Sequence, residues 1–440
     1  MLSLLFSMFW ILWLFMYFSF LEICFLFICF VFFLFLKVDW SSRFLFVGEW
    51  LGMDLMSFLL IELALWVSVL MYLASMNLKI YYEKMFSFYI IMMSVLLVFC
   101  FSVLNLMGFY LFFESVLIPI IMMILGWGSQ SERLQAGVYM LFYTLFGSLP
   151  LFLFFLYMSN NLSIIYLGWM NFNLSFIFFL MGIVGFLVKM PMFLVHMWLP
   201  KAHVEAPVAG SMILAGVLLK LGIYGLFRVK FFFLEALLSY GYIIMSITLL
   251  GGVYVAFICL CQVDVKSLIA YSSVCHMGLG LGGVISMSHW GAYGNMMMMV
   301  GHGLCSSGLF CLANIYYERF FTRSMVLLKG VGHIFPFFSV WWFLFSIVNL
   351  SAPPSLNLGG EVFLLGSVMK WSLVGAIPLG VISFLSAGYS LYMYSYLNHG
   401  SGWILYSSNL ISIREILLML LHFVPLVIWG LKMELFFMWI

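Results

Sequence analysis

Apolar runs of about 20 residues, each long enough to cross the hydrocarbon core of a bilayer as a helix, follow one another along this chain. Only short polar breaks part them. Of the 440 residues, 66% are hydrophobic and 7% are charged, where a soluble domain carries roughly 25% charged residues. Too little polar surface exists to face water, so a water-soluble fold is excluded. The chain reads as an all-α polytopic membrane protein. Breaks at charged, Gly, Pro or Asn clusters divide it into about 14 spans, near 2–20, 21–36, 51–75, 86–104, 106–126, 134–158, 174–198, 207–229, 236–260, 266–287, 291–316, 334–369, 374–397 and 412–433. Glu22 is the sole mark between the first two.

The loops are short. Lys79, Lys84, Arg133, Lys201, Lys266, Arg319, Arg323, Lys329 and Arg414 fall in breaks that follow odd-numbered spans. The other side holds Lys37, Arg43, Arg228, Lys230, Lys370 and Lys432. The first set is the larger, which places both termini on the outer face. A net charge of +2 gives no basic face for nucleic acid and no charge run for an acidic partner.

The eight cysteines (24, 29, 100, 259, 261, 275, 305 and 311) lie in apolar runs without a C-x-x-C pair, and read as small buried hydrophobes, not as disulfides or a metal site. Phe (50) and Met (34) are abundant, including the run Met296 to Met299, and read as filling for lipid-facing positions. The first apolar run is too long for a signal peptide and lacks its basic n-region, so no cleavable leader is expected.

Two spans are interrupted. In the seventh, GFLVKMPMF places Lys189 two residues before Pro191. A Lys at a helix centre costs about 3 kcal/mol on insertion scales. Proline removes a backbone hydrogen bond and clashes with the preceding turn, and the freed groups can begin a hydrated path. In the twelfth, Asn349 is followed by Pro353 and Pro354, then by Gly359, Gly360 and Glu361, which read as an unwound segment. Interrupted helices five spans apart point to the inverted repeats of a transporter fold.

Once the loop charges are set aside, a short list of ionisable residues inside the spans stands out: Glu114, Lys189, Lys220, His276, His302 and Glu361. Each has two readings. Glu114 is either a satisfied structural carboxyl or the counter-ion of a lysine. Lys189 is half of a static ion pair at a packing kink, or a group that holds its proton only while a carboxylate stands beside it, because desolvation favours the neutral amine. Lys220 lies one hairpin further on, among Gly216, Gly222 and Gly225, which permit close helix approach. His276 and His302 are core histidines taken singly; together, between a Lys and a Glu, they suit a proton relay. Ser272, Ser273, Ser306 and Ser307 beside them are candidates for ordering water. Two histidines without a third ligand argue against a metal. No nucleotide loop, haem ligand pair, iron–sulfur cysteine set or catalytic triad is present.

The run VKMPMFLVHMWLPKAHVEAPVAGSMILAGVLLKLGIYG (188–225), with LFFESVLIPI, ERLQAGVYMLFYTLFGSLP, DVKSLIAYSSVCHMG and GHGLCSSGLFCLANIYYER, resembles the antiporter-like membrane subunits of respiratory complex I. The resemblance covers about 105 to 365. The phrase WLPKAHVEAP, an acid at Glu361 where paralogues carry Lys, and the lack of a long lateral helix after the last span select one branch of that family. It implies a fourteen-helix fold with two inverted five-helix repeats and broken seventh and twelfth helices, arranged as N-terminal helices (1–105), first (106–230) and second (231–398) antiporter-like regions and a C-terminal helix (399–440). Glu114 and Lys189 would be its acid–base pair, Lys220 the connector, His276 and His302 the relay and Glu361 the terminal site, with helix breaks at Pro191, Pro353 and Pro354. The implied setting is the inner mitochondrial membrane, within an enzyme that oxidises NADH with ubiquinone and pumps protons. NAD, FMN and iron–sulfur clusters would belong to other subunits and ubiquinone to the whole complex, with no cofactor or metal in this chain. The implied partners are other complex I subunits, above all neighbouring antiporter-like ones, and phospholipids, without nucleic acid.

Two rival readings use the same residues. One is a subunit of a cation/proton antiporter complex. In the other the buried charges are packing pairs and the chain only scaffolds a membrane assembly.

Overall fold

A computed structural model describes residues 2–38, 44–48, 50–76, 82–158, 175–400 and 411–439. The loop charges Arg43 and Lys79, and residue 174 at the start of the seventh span, lie outside the described residues. The N-terminal helices are α1 (Leu2–Leu14), α2 (Phe20–Lys37), α3 (Leu55–Ser75) and α4 (Glu83–Ser102), with an antiparallel strand pair, β1 (Phe44–Val47) and β2 (Gly52–Asp54), before α3. Next come α5 (Leu106–Ser115), α6 (Leu117–Trp127), α7 (Arg133–Met158), α8 (Phe176–Lys189), α9 (Trp198–Glu205), α10 (Val208–Ile213) and α11 (Leu219–Val229). They are followed by α12 (Leu234–Cys261), α13 (Val265–Ile285), α14 (His289–Phe320), α15 (Val331–Ile334), α16 (Pro336–Asn349), α17 (Leu356–Trp371), α18 (Ala376–Asn398) and α19 (Ile413–Leu431).

Among the described residues, ten helices are long and apolar enough to cross a membrane. One of them, Val208–Cys261, holds both the eighth and ninth expected spans, joined through a 3-10 turn at Lys230–Phe233. The first, seventh and twelfth spans supply the shorter apolar helices Leu4–Trp13, Phe176–Lys189 and Pro336–Asn349. This is a multi-pass, predominantly helical membrane protein. Trp13, Phe146 and Ile377 are each more than two-thirds exposed, as side chains facing lipid should be.

The chain forms two compact units. One comprises Met1–Met190, Glu205–Tyr242 and Glu434–Ile440; the other comprises Pro191–Val204 and Ile243–Met433. Glu114, Lys189 and Lys220 belong to the first, and His276, His302 and Glu361 to the second.

In the first unit, α8 stops at Lys189 because Pro191 has no N–H for the Leu187 carbonyl and drives Met190 out of the helical region, to φ −86° and ψ 102°. Pro119 acts similarly in the fifth span. It leaves the Ser115 carbonyl without an i+4 donor, and the helix is interrupted at Val116 between α5 and α6. That interruption, two residues past Glu114, was not expected. The α8 and α11 helices pack tightly: a Cβ on Gly222 would lie 2.3 Å from the Met190 side chain.

In the second unit, the twelfth span breaks over Leu350–Ser355, with a cis bond between Pro353 and Pro354. The expected unwinding does not reach Glu361. Ser355 lies at the N-cap position and α17 begins at Leu356, so Gly359, Gly360 and Glu361 are helical. A helix regains its regular pattern within one turn of a proline, and a glycine alone does not stop it. The methionines 296–299 are also not lipid-facing. All four are buried on α14, where the side chains of Met297 and Met298 lie against Gly359 and Gly360 of α17. Met is unbranched and fills such irregular gaps.

Candidate functional site

In the first unit, Lys189 is the last residue of α8, where the negative end of the helix dipole favours a cation. Its Nζ lies 3.3 Å from Glu114 Oε1, and the two side chains are only 5% and 17% exposed. The same ammonium donates to the Phe113 carbonyl and lies over the Phe113 ring. Among the described residues, the Lys189 ammonium is the charge that stands beside the Glu114 carboxyl. The carboxylate therefore depends on one neighbouring charge, and a change at either member is felt by the other.

Lys220 is fully buried in α11, two residues beyond a π-helical turn at Leu214–Leu218. A π turn leaves carbonyls out of the i+4 pattern, and the Lys220 ammonium donates back to one of them, on Ala215. Sequence reasoning found the lysine but not the π turn, since no residue type specifies one.

His276 is the hub of the second unit. Its Nδ1, on α13, lies 3.2 Å from Glu361 Oε1 on α17. The Nε2 lies 3.3 Å from the Tyr389 hydroxyl on α18. The His302 ring on α14 stands 5.6 Å away, centroid to centroid, tilted by 52°. Four helices thus bring an acid, a phenol and two imidazoles together in a buried cluster. Tyr389 was not anticipated: a tyrosine among the apolar residues of SAGYSLYMY carries no signal of its own.

The serines beside the histidines are less open than expected. Ser272, Ser273, Ser306 and Ser307 donate to the carbonyls of Ile269, Ala270, His302 and Leu304 on their own helices, at 2.6–3.1 Å. In an apolar interior the nearest acceptor for a serine hydroxyl is its own preceding turn.

Two further ion pairs lie near helix ends. Arg228 pairs with Asp54 in the first unit, and Arg319 Nη2 meets Glu415 Oε2 at 2.6 Å in the second. Their arginines were read as plain loop charges. No group of three or more His, Cys, Asp or Glu able to hold a metal occurs among the described residues.

Residues 102–386, which hold all six candidate residues, match the family model described as NADH:quinone oxidoreductase/Mrp antiporter, TM. That description alone spans two kinds of assembly. Residues 1–100 match the model of the NADH-ubiquinone oxidoreductase chain 4 amino terminus. NADH-ubiquinone oxidoreductase chain 4 of Rhipicephalus sanguineus is 56% identical over 387 residues, 88% of this chain and 89% of that one. This chain belongs to the NADH-ubiquinone oxidoreductase chain 4 family. Another chain 4, from Ceratitis capitata, is 52% identical over 408 residues, 91% of each chain. In the structure of respiratory complex I from Thermus thermophilus with bound NADH, one chain superposes with a TM-score of 0.83 at 25% identity, covering 92% of this chain and 88% of that one. The chain 4 resemblance thus extends through the N-terminal helices, where the sequence carried few recognisable motifs.

Proposed function

We propose that this chain is the chain 4 subunit of a proton-translocating NADH:ubiquinone oxidoreductase in the inner mitochondrial membrane, and that Glu114, Lys189, Lys220, His276, His302 and Glu361 carry protons through it. The observation that supports this most directly is the pairing of buried Lys189 with Glu114 at a helix break. If Glu114 takes a proton, the buried ammonium loses its counter-charge, and keeping it charged becomes expensive. The proton then leaves Lys189, and loss of the Glu114 proton calls another back. A static pair in a continuous helix would lack the adjacent break through which protons can enter or leave.

In the second unit, an imidazolium at His276 can pass its proton to the Glu361 carboxylate at 3.2 Å and be reloaded from the His302 side. Imidazole both accepts and donates near neutral pH, so one ring serves both steps. The Tyr389 hydroxyl orients it.

Electron transfer belongs to other subunits in this reading, with NAD, FMN and iron–sulfur clusters bound there and ubiquinone engaged at the level of the complex. Neighbouring antiporter-like subunits and phospholipids are the partners. The chain 4 match over residues 1–100 favours this reading over a cation/proton antiporter, whose family model is shared only over 102–386. The test is Lys189→Met in the assembled complex. Retained NADH oxidation by solubilised enzyme, with proton pumping lost in vesicles, is the expected result. Unimpaired pumping would leave the chain as a scaffold, and isolation in an assembly without NADH dehydrogenase activity would favour the antiporter.

A further inference from the structure

Glu62 lies seven residues into α3 and is 3% exposed, and among the described residues neither of its carboxyl oxygens has a hydrogen-bond partner. It is not one of the six residues of the proposed relay. The α3 helix packs against α2, α4, α10, the π-helical turn and β2, whose Asp54, an acid engaged by Arg228, stands just before the first residue of α3. Those elements offer no counter-charge at its depth. Charged residues occur on α2 only near its ends, at Glu22 and Lys37, and on α4 only in the first turn, at Glu83 and Lys84. The segments Val208–Ile213 and Leu214–Leu218 carry none.

Two polar contacts of α3 with α2 and α4 lie about two to three turns further along the helix, away from Glu62. The Cys24 thiol of α2 donates to the Val69 carbonyl at 3.9 Å, and the Tyr72 hydroxyl to the Ser87 carbonyl at 3.0 Å. A carboxylate here would be a buried charge without a partner, the arrangement that proteins avoid by protonation.

The position on the helix matters as well. Residues four apart share a face, so Glu62 lies between Phe58 and Trp66. The Phe58 ring packs on Phe35 of α2 at 6.1 Å, whereas Trp66, one turn away, is partly exposed. The carboxyl is therefore shut off from the charges on those elements and lies one helical turn from a partly exposed side chain.

We propose that Glu62 is a further proton-binding site of the first unit, separate from the Glu114–Lys189 pair and from Lys220: a carboxylic acid kept neutral in the apolar interior and open to lipophilic carbodiimides. In that modification the carboxyl oxygen bonds to the central carbodiimide carbon and the acid proton passes to nitrogen. The O-acylisourea then rearranges to an N-acylurea, so every atom is retained and no leaving group departs. An ionised carboxylate brings no proton to this step.

The experiment treats native membranes holding the assembled complex with dicyclohexylcarbodiimide at neutral pH and maps the adduct by peptide mass. Glu415, buried against Arg319, serves as the ionised reference. Labelling of Glu62 at least about tenfold above Glu415 is expected, since only one of the two carries a proton. Equal or weaker labelling of Glu62 overturns the proposal. A second measurement compares infrared spectra of wild-type and Glu62→Gln complexes. Loss of a protonated carboxyl C=O band supports the assignment, and loss of a carboxylate band in its place overturns it. Should Glu62→Gln not assemble, the labelling ratio in the wild type decides.

Discussion

Asn357 holds the two halves of the interrupted twelfth span together: its Nδ2 donates to the Val348 carbonyl at 3.0 Å, from α17 back to α16. Four residues on, and so on the same face of α17, stands Glu361. The amide thereby fixes the first turn of the helix that presents the carboxyl to His276.

Replacing Asn357 by Ala should remove about 1 kcal/mol of hydrogen bonding and loosen that turn. Proton pumping by the reconstituted complex is expected to fall about fivefold, with the redox reaction of solubilised enzyme unchanged. An unaltered pumping rate would show that the tether does not position Glu361.

Gly301, next to His302, makes room for the same amide. A Cβ there would lie 2.1 Å from Asn357 Oδ1. Gly301→Ala is expected to cost about 1–3 kcal/mol through overpacking, read as a lower melting temperature of the complex. Combined with Asn357→Ala, which clears the obstruction, it should cost less than the two single effects added. Simple additivity would contradict the contact.

The Glu114–Lys189 pair separates stability from transport. Glu114→Gln alone deprives the buried Lys189 of its counter-charge and should destabilise by about 3 kcal/mol or less, since Glu114 is partly exposed and the lysine can shed its proton. Glu114→Gln with Lys189→Met removes both charges and should recover most of that stability. Pumping is expected to stay absent in the double variant. Pumping that returned with the stability would mean that the pair serves packing only.

Tyr389→Phe removes the hydroxyl 3.3 Å from His276 Nε2 while keeping the ring. The loss of about 1 kcal/mol of orientation should slow pumping about fivefold and leave thermal stability near wild type. His276→Gln, which deletes the relay group itself, should abolish pumping. Equal effects from the two variants would argue against an orienting role for Tyr389.

Much of the site was legible because it violates what a membrane segment normally permits. Lys189, Lys220, Glu114 and Glu361 stand out in apolar runs, and Pro191 and Pro353 announce breaks through a missing N–H. Other features left no such trace. The π-helical turn before Lys220 arises in LAGVL, five residues with no distinctive chemistry. Tyr389 and Asn357 became visible only through the atoms that they approach. The expectation of an unwound segment at Glu361 gave the glycines too much weight, and the lipid-facing reading of the methionines ignored how deeply α14 is buried.

The sequence alone determined that this chain lives in a membrane, where its helices break and which ionisable groups lie within them, because hydrophobicity, proline geometry and the expense of a buried charge are properties of single residues and short runs. Tertiary structure alone decided which of those groups meet. Whether Glu114 faces Lys189, or His276 faces Glu361 and Tyr389, depends on the rotation and register of helices far apart in the chain. Those are set by packing summed over many side chains, and no local stretch records them.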